Sequence, residues 1–257
     1  MKVTILGCGG SGGVPLIGCA CAVCTSDDPR NKRTRVSIVV EEGPTRVLVD
    51  ASPDLRQQFL ANGLATVDAV VLTHGHADHI HGIDDLRSVN FHRNAPLDVW
   101  ADPITIAETL RRFGYAFHPP RTNDGVWYAP SLVAREISGR LTIGALEIIP
   151  FAQAHGGDRD PTLGLRFGRF AYSTDVKEFS DDAFRALAGV EVWVVDCLQE
   201  SPNPAHSHLE QTLGWIARVK PRRAVLTHMN HRVDYAAWAA RLPAGVEPGY
   251  DGMVIAL

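Results

Sequence analysis

The sequence has no apolar run approaching the roughly 18 residues needed to cross a bilayer. It also lacks a heptad pattern, a Ser/Gly linker and any repeat of about 20 to 50 residues, which excludes a coiled coil, a beads-on-a-string arrangement and a solenoid. Neither sign of charge dominates: 25 Lys and Arg face 29 Asp and Glu, for a formal net charge of -4. That balance argues against broad binding to nucleic acid or to a membrane surface. Cysteine is sparse, five in 257 residues, and Cys19, Cys21 and Cys24 are too close together to serve as a disulfide framework. Met1-Lys2-Val3-Thr4-Ile5-Leu6 runs into glycine before a signal-peptide core forms, so the chain is expected to be soluble and cytoplasmic.

What is present is ample core material, 45% hydrophobic residues, and 11 histidines that composition leaves unexplained. Short β-branched runs recur near residues 3–6, 36–40, 46–49, 69–72, 97–100, 146–149, 163–167, 170–172, 192–195, 224–226 and 253–256. Helical patterns fall between some of them: 53–62 with Ser52 as N-cap and Gly63 as stop, 103–113, 180–188, 206–219 and 235–242. Strand clusters occur in both halves and each half ends in helices. This predicts one layered α/β domain over 1–257, with two sheets covered by helices. Residues 114–130 are irregular and rich in aromatics, which makes them a candidate lid or dimer contact.

Gly7-Cys8-Gly9-Gly10-Ser11-Gly12 follows a strand and spells a dinucleotide fingerprint, but Gly13, Val14 and Pro15 follow where a helix would have to begin. The glycines are instead expected to let the backbone approach a site or another strand closely. The informative segment is Thr73-His74-Gly75-His76-Ala77-Asp78-His79, where an apolar strand runs into His-x-His-x-Asp-His. Three imidazoles and a carboxylate within six residues of a strand end form a metal-binding pattern suited to zinc, manganese or iron. The Cys19–Cys24 cluster supplies three thiolates to a loop spanning 18–35. A closed structural zinc site needs a fourth ligand, for which Cys8, Cys197, His92, His118 and His231 are the candidates.

The His-x-His-x-Asp-His segment resembles the signature of the metallo-β-lactamase superfamily. The resemblance implies a four-layer αββα sandwich with a dinuclear centre at the edge between its sheets. It also matches His155, Asp175 and His228, each following a strand, to the remaining ligands. His74, His76 and His155 would hold one divalent ion, zinc or manganese, and Asp78, His79 and His228 the other, with Asp175 shared. Such a pair acidifies a bridging water and stabilises the attacking and leaving oxygens of a displacement. Within the superfamily the chain is similar to a branch of cyclic-phosphoribosyl phosphodiesterases with a three-cysteine insertion. That likeness implies His231 as the fourth ligand of the structural zinc and His206 as the general acid, beside Asp78 as the other catalytic candidate. His208 stands where an acidic residue is expected, which leaves the choice between His206 and His208 open.

Arg30-Asn31-Lys32-Arg33-Thr34-Arg35 reads as a solvated basic loop, with one or two members available to steer an anion, and His81 and Asp84 read as support for the ligands. The expected activity is metal-dependent hydrolysis of a small cyclic phosphate, with an anionic phosphodiester substrate, no stable nucleic-acid complex, no membrane partner and a homodimer as the assembly. The alternatives are a tRNA-processing nuclease of the same superfamily and an accessory protein similar to that of pyrroloquinoline quinone biosynthesis.

Overall fold

The computed structural model describes residues 1–120, 126–156 and 162–257, together with the backbone of 122 and 123. The amino-terminal half contains β1 (Lys2–Gly7), β2 (Ser37–Glu42), β3 (Thr45–Val49), α1 (Leu55–Ala61), β4 (Ala69–Val71), α2 (Ala77–Ile80), α3 (Leu86–Arg93), β5 (Leu97–Ala101) and α4 (Pro103–Phe113). A small hairpin, β6 (Thr122–Asn123) and β7 (Val126–Trp127), leads to β8 (Leu132–Glu136), β9 (Leu141–Ile143) and β10 (Leu146–Gln153). The chain continues through β11 (Thr162–Phe167), β12 (Phe170–Ser173), α5 (Asp181–Leu187), β13 (Val192–Asp196), α6 (Leu209–Val219), β14 (Arg223–Thr227), α7 (Tyr235–Arg241), β15 (Val246–Pro248) and β16 (Val254–Ala256).

The strands form two seven-stranded sheets, ordered β16-β1-β2-β3-β4-β5-β8 and β15-β14-β13-β12-β11-β10-β9. In the first, β16, β1, β2 and β3 pair antiparallel and β3, β4, β5 and β8 parallel. In the second, β9 to β12 pair antiparallel and β12 to β15 parallel. Alternation along the strands builds the layers. Val3, Ile5, Ile38, Val40, Val47, Val49 and Val71 share a core with Phe167, Tyr172 and Val194 of the second sheet. Their neighbours Val39, Leu48 and Val70 lie in a separate core with Leu55, Phe59, Leu86, Val89 and Ile106 from the helices. On the far side of the second sheet Trp193 meets Phe179 at 5.7 Å between ring centroids, and Phe179 meets Trp215 of α6 at 4.6 Å. The result is the predicted αββα order. It also explains why Ala69-Val70-Val71-Leu72 reads as an unbroken apolar run, since that strand is covered on both faces.

Some boundaries differ from the sequence reading. The helix predicted from 53 begins at Leu55, because the Ser52 hydroxyl accepts from Asp54 N at 3.2 Å and donates to Gln58 instead of capping the helix. The helix predicted from 206 begins at Leu209. Ser207 N bonds to Val176 O at 2.8 Å and Leu198 N to Ser207 O at 3.2 Å, which holds 206–208 in extended backbone. The strands β8, β9 and β15 and the helices α2 and α3 were not anticipated. Residues 121, 124 and 125 of the aromatic segment lie outside the described residues. Among the described residues no helix is long and apolar enough to cross a membrane.

Candidate metal centre

Parallel strands β3, β4, β12, β13 and β14 end at one edge of the sandwich, where open α/β sheets place their ligands. Asp50 follows β3, Thr73 and His74 follow β4, Asp175 follows β12, Asp196 ends β13 and His228 follows β14. Three of these residues adopt positive φ without being glycine: Asp50 (63°), Asp175 (50°) and His228 (57°). Such backbone costs on the order of 1–3 kcal/mol per residue and persists where the surroundings over-determine it. Here it falls on the residues that point into the edge.

Asp175 lies at the middle of the cluster. Its Oδ2 is 3.8 Å from His74 Nε2 and 3.8 Å from His155 Nε2, while Oδ1 is 3.1 Å from His79 Nε2 and 3.3 Å from His228 Nε2. Asp78 Oδ2 closes the second group, 3.4 Å from His79 Nε2 and 3.5 Å from His228 Nε2. Donor atoms of His74, His76, His155 and Asp175 lie within 4.8 Å of one another, as do those of Asp78, His79, Asp175 and His228. One carboxylate thus offers an oxygen to each of two groups, the two groups drawn from the sequence.

The buried Nε2 atoms of His74, His79 and His228 have no hydrogen-bond partner. Buried polar atoms seldom stay unpaired, and three converging on shared carboxylates have the chemistry of ligands. The opposite ring edges of His74, His79 and His155 are held, while Nδ1 of His228 has no partner. His79 Nδ1 lies 2.8 Å from Asp50 Oδ2 and His155 Nδ1 lies 3.0 Å from Ala205 O. Thr73 Oγ1 donates to Asp50 at 2.9 Å and is therefore free to accept from His74 Nδ1 at 3.1 Å. In each case Nδ1 meets a protein partner, which turns Nε2 toward the shared carboxylates, the orientation a metal ligand requires. The residues fit two divalent cations.

The electrostatics agree. Burial disfavours a charged His79, but Asp175, Asp50 and Asp78 outweigh it and push the imidazole well above its usual range. The same contest, won by Asp175 and Asp78, pushes His228 up to about 9. Asp78 and Asp175 are held well below the ordinary carboxylate range, against burial, by His79 and His228. His74 and His155 are driven down, chiefly by burial. The edge thus concentrates negative charge on Asp175 and Asp78, and protons take the place of cations.

His206 stands at this centre. Its Nδ1 is 3.0 Å from Asp196 Oδ2 and its ring stacks on His228 at 4.5 Å between centroids, 4.7 Å from His155. His208 precedes α6 and belongs to none of the donor groups. The glycine loop also reaches the site. A methyl on Gly10 would lie 3.4 Å from Cε1 of His228, and one on Gly9 would lie 2.8 Å from the Arg33 carbonyl oxygen. This is the close approach expected of those glycines.

Cys19, Cys21 and Cys24 bring their sulfurs within 4.8 Å of one another. The His231 ring does not join that donor group, although its carbonyl accepts from Cys21 Sγ at 3.6 Å, so the cluster and the turn after His228 are neighbours. Cys8 and Cys197 are buried elsewhere, and burial pushes both thiols up. His92 and His118 are exposed and join no donor group. The basic run is only partly a solvated loop, with Arg30 and Lys32 exposed. Arg33 is buried, bonding Asn31 Oδ1 at 2.9 Å and Val233 O at 2.8 Å, while Arg30 pairs with Asp28 and Arg35 with Asp54, both at 2.9 Å. His81 packs edge-on against Phe113 and Asp84 accepts from Tyr115 Oη at 2.9 Å, so neither touches the ligands.

Asp50 and Thr73 escaped the sequence reading, and Asp196 had no role in it. Their signal was available: each stands at the end of a buried apolar strand, as Asp175 and His228 do.

Comparison with known proteins follows the same lines. A family model described as "Beta-lactamase superfamily domain" matches residues 45–229. A diphosphatase of the PhnP family, known from its crystal structure, superposes with a TM-score of 0.91 at 33% identity, covering 100% of this chain and 97% of that one. The Coenzyme PQQ synthesis protein B of Methylorubrum populi is 40% identical over 311 aligned positions, with both chains covered in full. An octanoyltransferase of Porphyromonas gingivalis is 34% identical over 98% of this chain, which spans only about half (51%) of that relative.

Proposed function

The chain belongs to the metallo-β-lactamase superfamily of hydrolases, with the αββα fold of that family, and from this membership we propose that it is a dinuclear metal-dependent phosphodiesterase acting on a small cyclic phosphate. The observation that carries the reading is the coincidence of a split carboxylate, Asp175, with a proton donor, His206, on the same inter-sheet edge. His74, His76, His155 and Asp175 would hold one cation, and Asp78, His79, His228 and Asp175 the other. When bound, two divalent ions supply an acidified water and positive charge for the oxygens of a phosphorus centre, which the net charge of -4 does not offer.

The protein's own groups do the rest. Asp196 fixes the His206 ring through Nδ1, which leaves Nε2 to give a proton to the departing sugar oxygen. Asp50 and Thr73 keep Nε2 of His79 and of His74 turned inward. The Gly10 backbone packs against His228. The likeness to a PhnP-family diphosphatase supports phosphoryl chemistry. The proposed substrate is a small anionic phosphodiester such as a phosphoribosyl or nucleoside cyclic phosphate. We propose a homodimer as the assembly, with no stable nucleic-acid complex.

The test is turnover by purified protein loaded with zinc or manganese on bis(p-nitrophenyl) phosphate and on cyclic nucleotides. Hydrolysis of either supports the reading. Failure on both with cleavage of a lactone or β-lactam moves the protein to another branch. A second reading rests on the full-length 40% identity to a protein of coenzyme PQQ synthesis. It is favoured if metal-loaded protein turns over no ester at all.

A further inference from the structure

We infer that Arg112 and Glu108, which belong to neither predicted ligand set, are positioning residues that hold the peptide between His74 and His76 and thereby set the affinity of that half of the centre. The inference rests on the dinuclear reading but not on the identity of the substrate.

Both residues lie on α4, which is fixed at its start. Asp102 Oδ1 accepts from Ile104 N at 2.9 Å and Thr105 N at 3.1 Å, and Pro103 supplies the first turn. The buried Thr105 and Thr109 then set which face looks outward. The strand before it, β5, is the parallel neighbour of β4, and Leu72 N bonds Trp100 O at 2.8 Å, so α4 rises beside the loop that β4 feeds. From the last turn of α4, Arg112 Nη1 donates to the carbonyl oxygen of Gly75. Its Nη2 lies 3.1 Å from Glu108 Oε2 one turn earlier. The Glu108 carboxylate fills the space where a side chain at position 75 would project.

This contact matters because of what His76 lacks. The rings of His74, His79 and His155 are each held through Nδ1 by a protein group. His76 is exposed, and among the described residues its ring has no protein hydrogen-bond partner. Its direction is therefore set through the backbone, and the peptide leading into it is the one Arg112 holds. The fixed fork of the guanidinium suits the task, since one nitrogen serves Gly75 while another stays on Glu108.

A brace and a bare charge predict opposite signs. As a cation next to a cation site, Arg112 would weaken binding, and its removal would tighten it. As a brace, its removal costs affinity, by about 10- to 100-fold for a group that orients a ligand. Metal-free wild type, Arg112→Met, Arg112→Lys and Glu108→Gln are titrated with cobalt(II) against a competing chelator. Thiolate charge-transfer absorption reports the cysteine cluster separately from the histidine sites. The expected result is a loss of about 10- to 100-fold for one histidine-site ion in Arg112→Met. Partial recovery is expected in Arg112→Lys, with a smaller loss of the same ion in Glu108→Gln and an unchanged melting temperature of the metal-free protein. Placing Arg112→Met in a His155→Ala background adds nothing to the remaining ion, whereas in a His228→Ala background the loss persists. Unchanged or tighter binding in Arg112→Met overturns the brace. So does an equal loss at both sites accompanied by a lower melting temperature. Failure of the wild type to take up two histidine-site ions overturns the dinuclear reading beneath it.

Discussion

Asp50→Asn isolates the orientation of a single ligand. Asp50 is fully buried, accepts from Thr73 N at 2.8 Å and lies 2.8 Å from His79 Nδ1. Asparagine has nearly the same shape and tolerates the left-handed backbone at this position, φ 63°, so the strand end has no reason to move. What changes is one oxygen. If the amide keeps its oxygen on Thr73, it turns an NH2 group toward the Nδ1 hydrogen of His79, and a charged hydrogen bond becomes a donor facing a donor. A hydrogen bond to a charged group contributes about 1.5–3 kcal/mol. The loss of an outer partner of a metal-binding histidine typically weakens binding about 10- to 100-fold, which is about 1.4–2.8 kcal/mol. The two magnitudes agree near 2 kcal/mol, to be felt by the ion proposed for Asp78, His79 and His228. The ion of His74, His76 and His155 should feel less, since Asp50 reaches His74 only through the Thr73 hydroxyl. Competition titration of metal-free protein measures both constants. Equal weakening of the two ions, or none, would refute the role of Asp50 as the group that orients His79.

Further outcomes follow from the geometry and the electrostatics. His206→Ala should lower kcat on a phosphodiester about 10²- to 10⁴-fold with little change in KM; Asp196→Asn should act in the same direction, the double variant should be no worse than His206→Ala, and His208→Ala should match wild type, all by steady-state kinetics. Because Asp175 and Asp78 outweigh burial and raise His228 to about 9, a proton must leave it before a cation binds at neutral pH. Metal affinity should therefore rise with pH up to about 9, costing roughly 100-fold at pH 7. The raised His79 and His228 stabilise the metal-free fold fully below about pH 6.5 and lose that contribution as pH climbs through their folded values, so its melting temperature should fall between pH 6 and pH 10. Proton release on metal binding, followed calorimetrically in buffers of different ionisation enthalpy, checks the first point and thermal melts of chelator-treated protein check the second. Cys21→Ser should remove one bound metal per chain and lower the melting temperature, read by metal analysis and melting, while leaving the histidine-site constants near wild type.

The His74 to His79 segment was legible as a metal-binding pattern because it sits within one loop, whereas His155, Asp175 and His228, each after an apolar run, were matched to it only through the resemblance to the superfamily. The strands were legible as short β-branched runs such as Val47-Leu48-Val49, whose alternate members the structure divides between two cores. What escaped was contact between distant segments. Asp50 meets His79 only after β3 and β4 pair, and Arg112 meets Gly75 only after α4 folds back beside β4. The start of α6 was misjudged because helical periodicity is blind to Val176, whose carbonyl draws Ser207 into extended backbone. Arg33 looked solvated because nothing nearby in sequence announces the Asn230 and Val233 carbonyls that surround it.

The division of the proposed ligands between the two sheets has a thermodynamic consequence. His74, His76, Asp78 and His79 come from the first sheet, and His155, Asp175 and His228 from the second. Any cation held by both groups is a cross-link between halves of the chain that no disulfide joins. An unfolded chain does not keep those groups together, so the free energy of metal binding becomes free energy of folding. Chelation would then act as a denaturant directed at the seam between the sheets, loosening their docking before it disturbs either sheet's own hydrogen-bonded ladder.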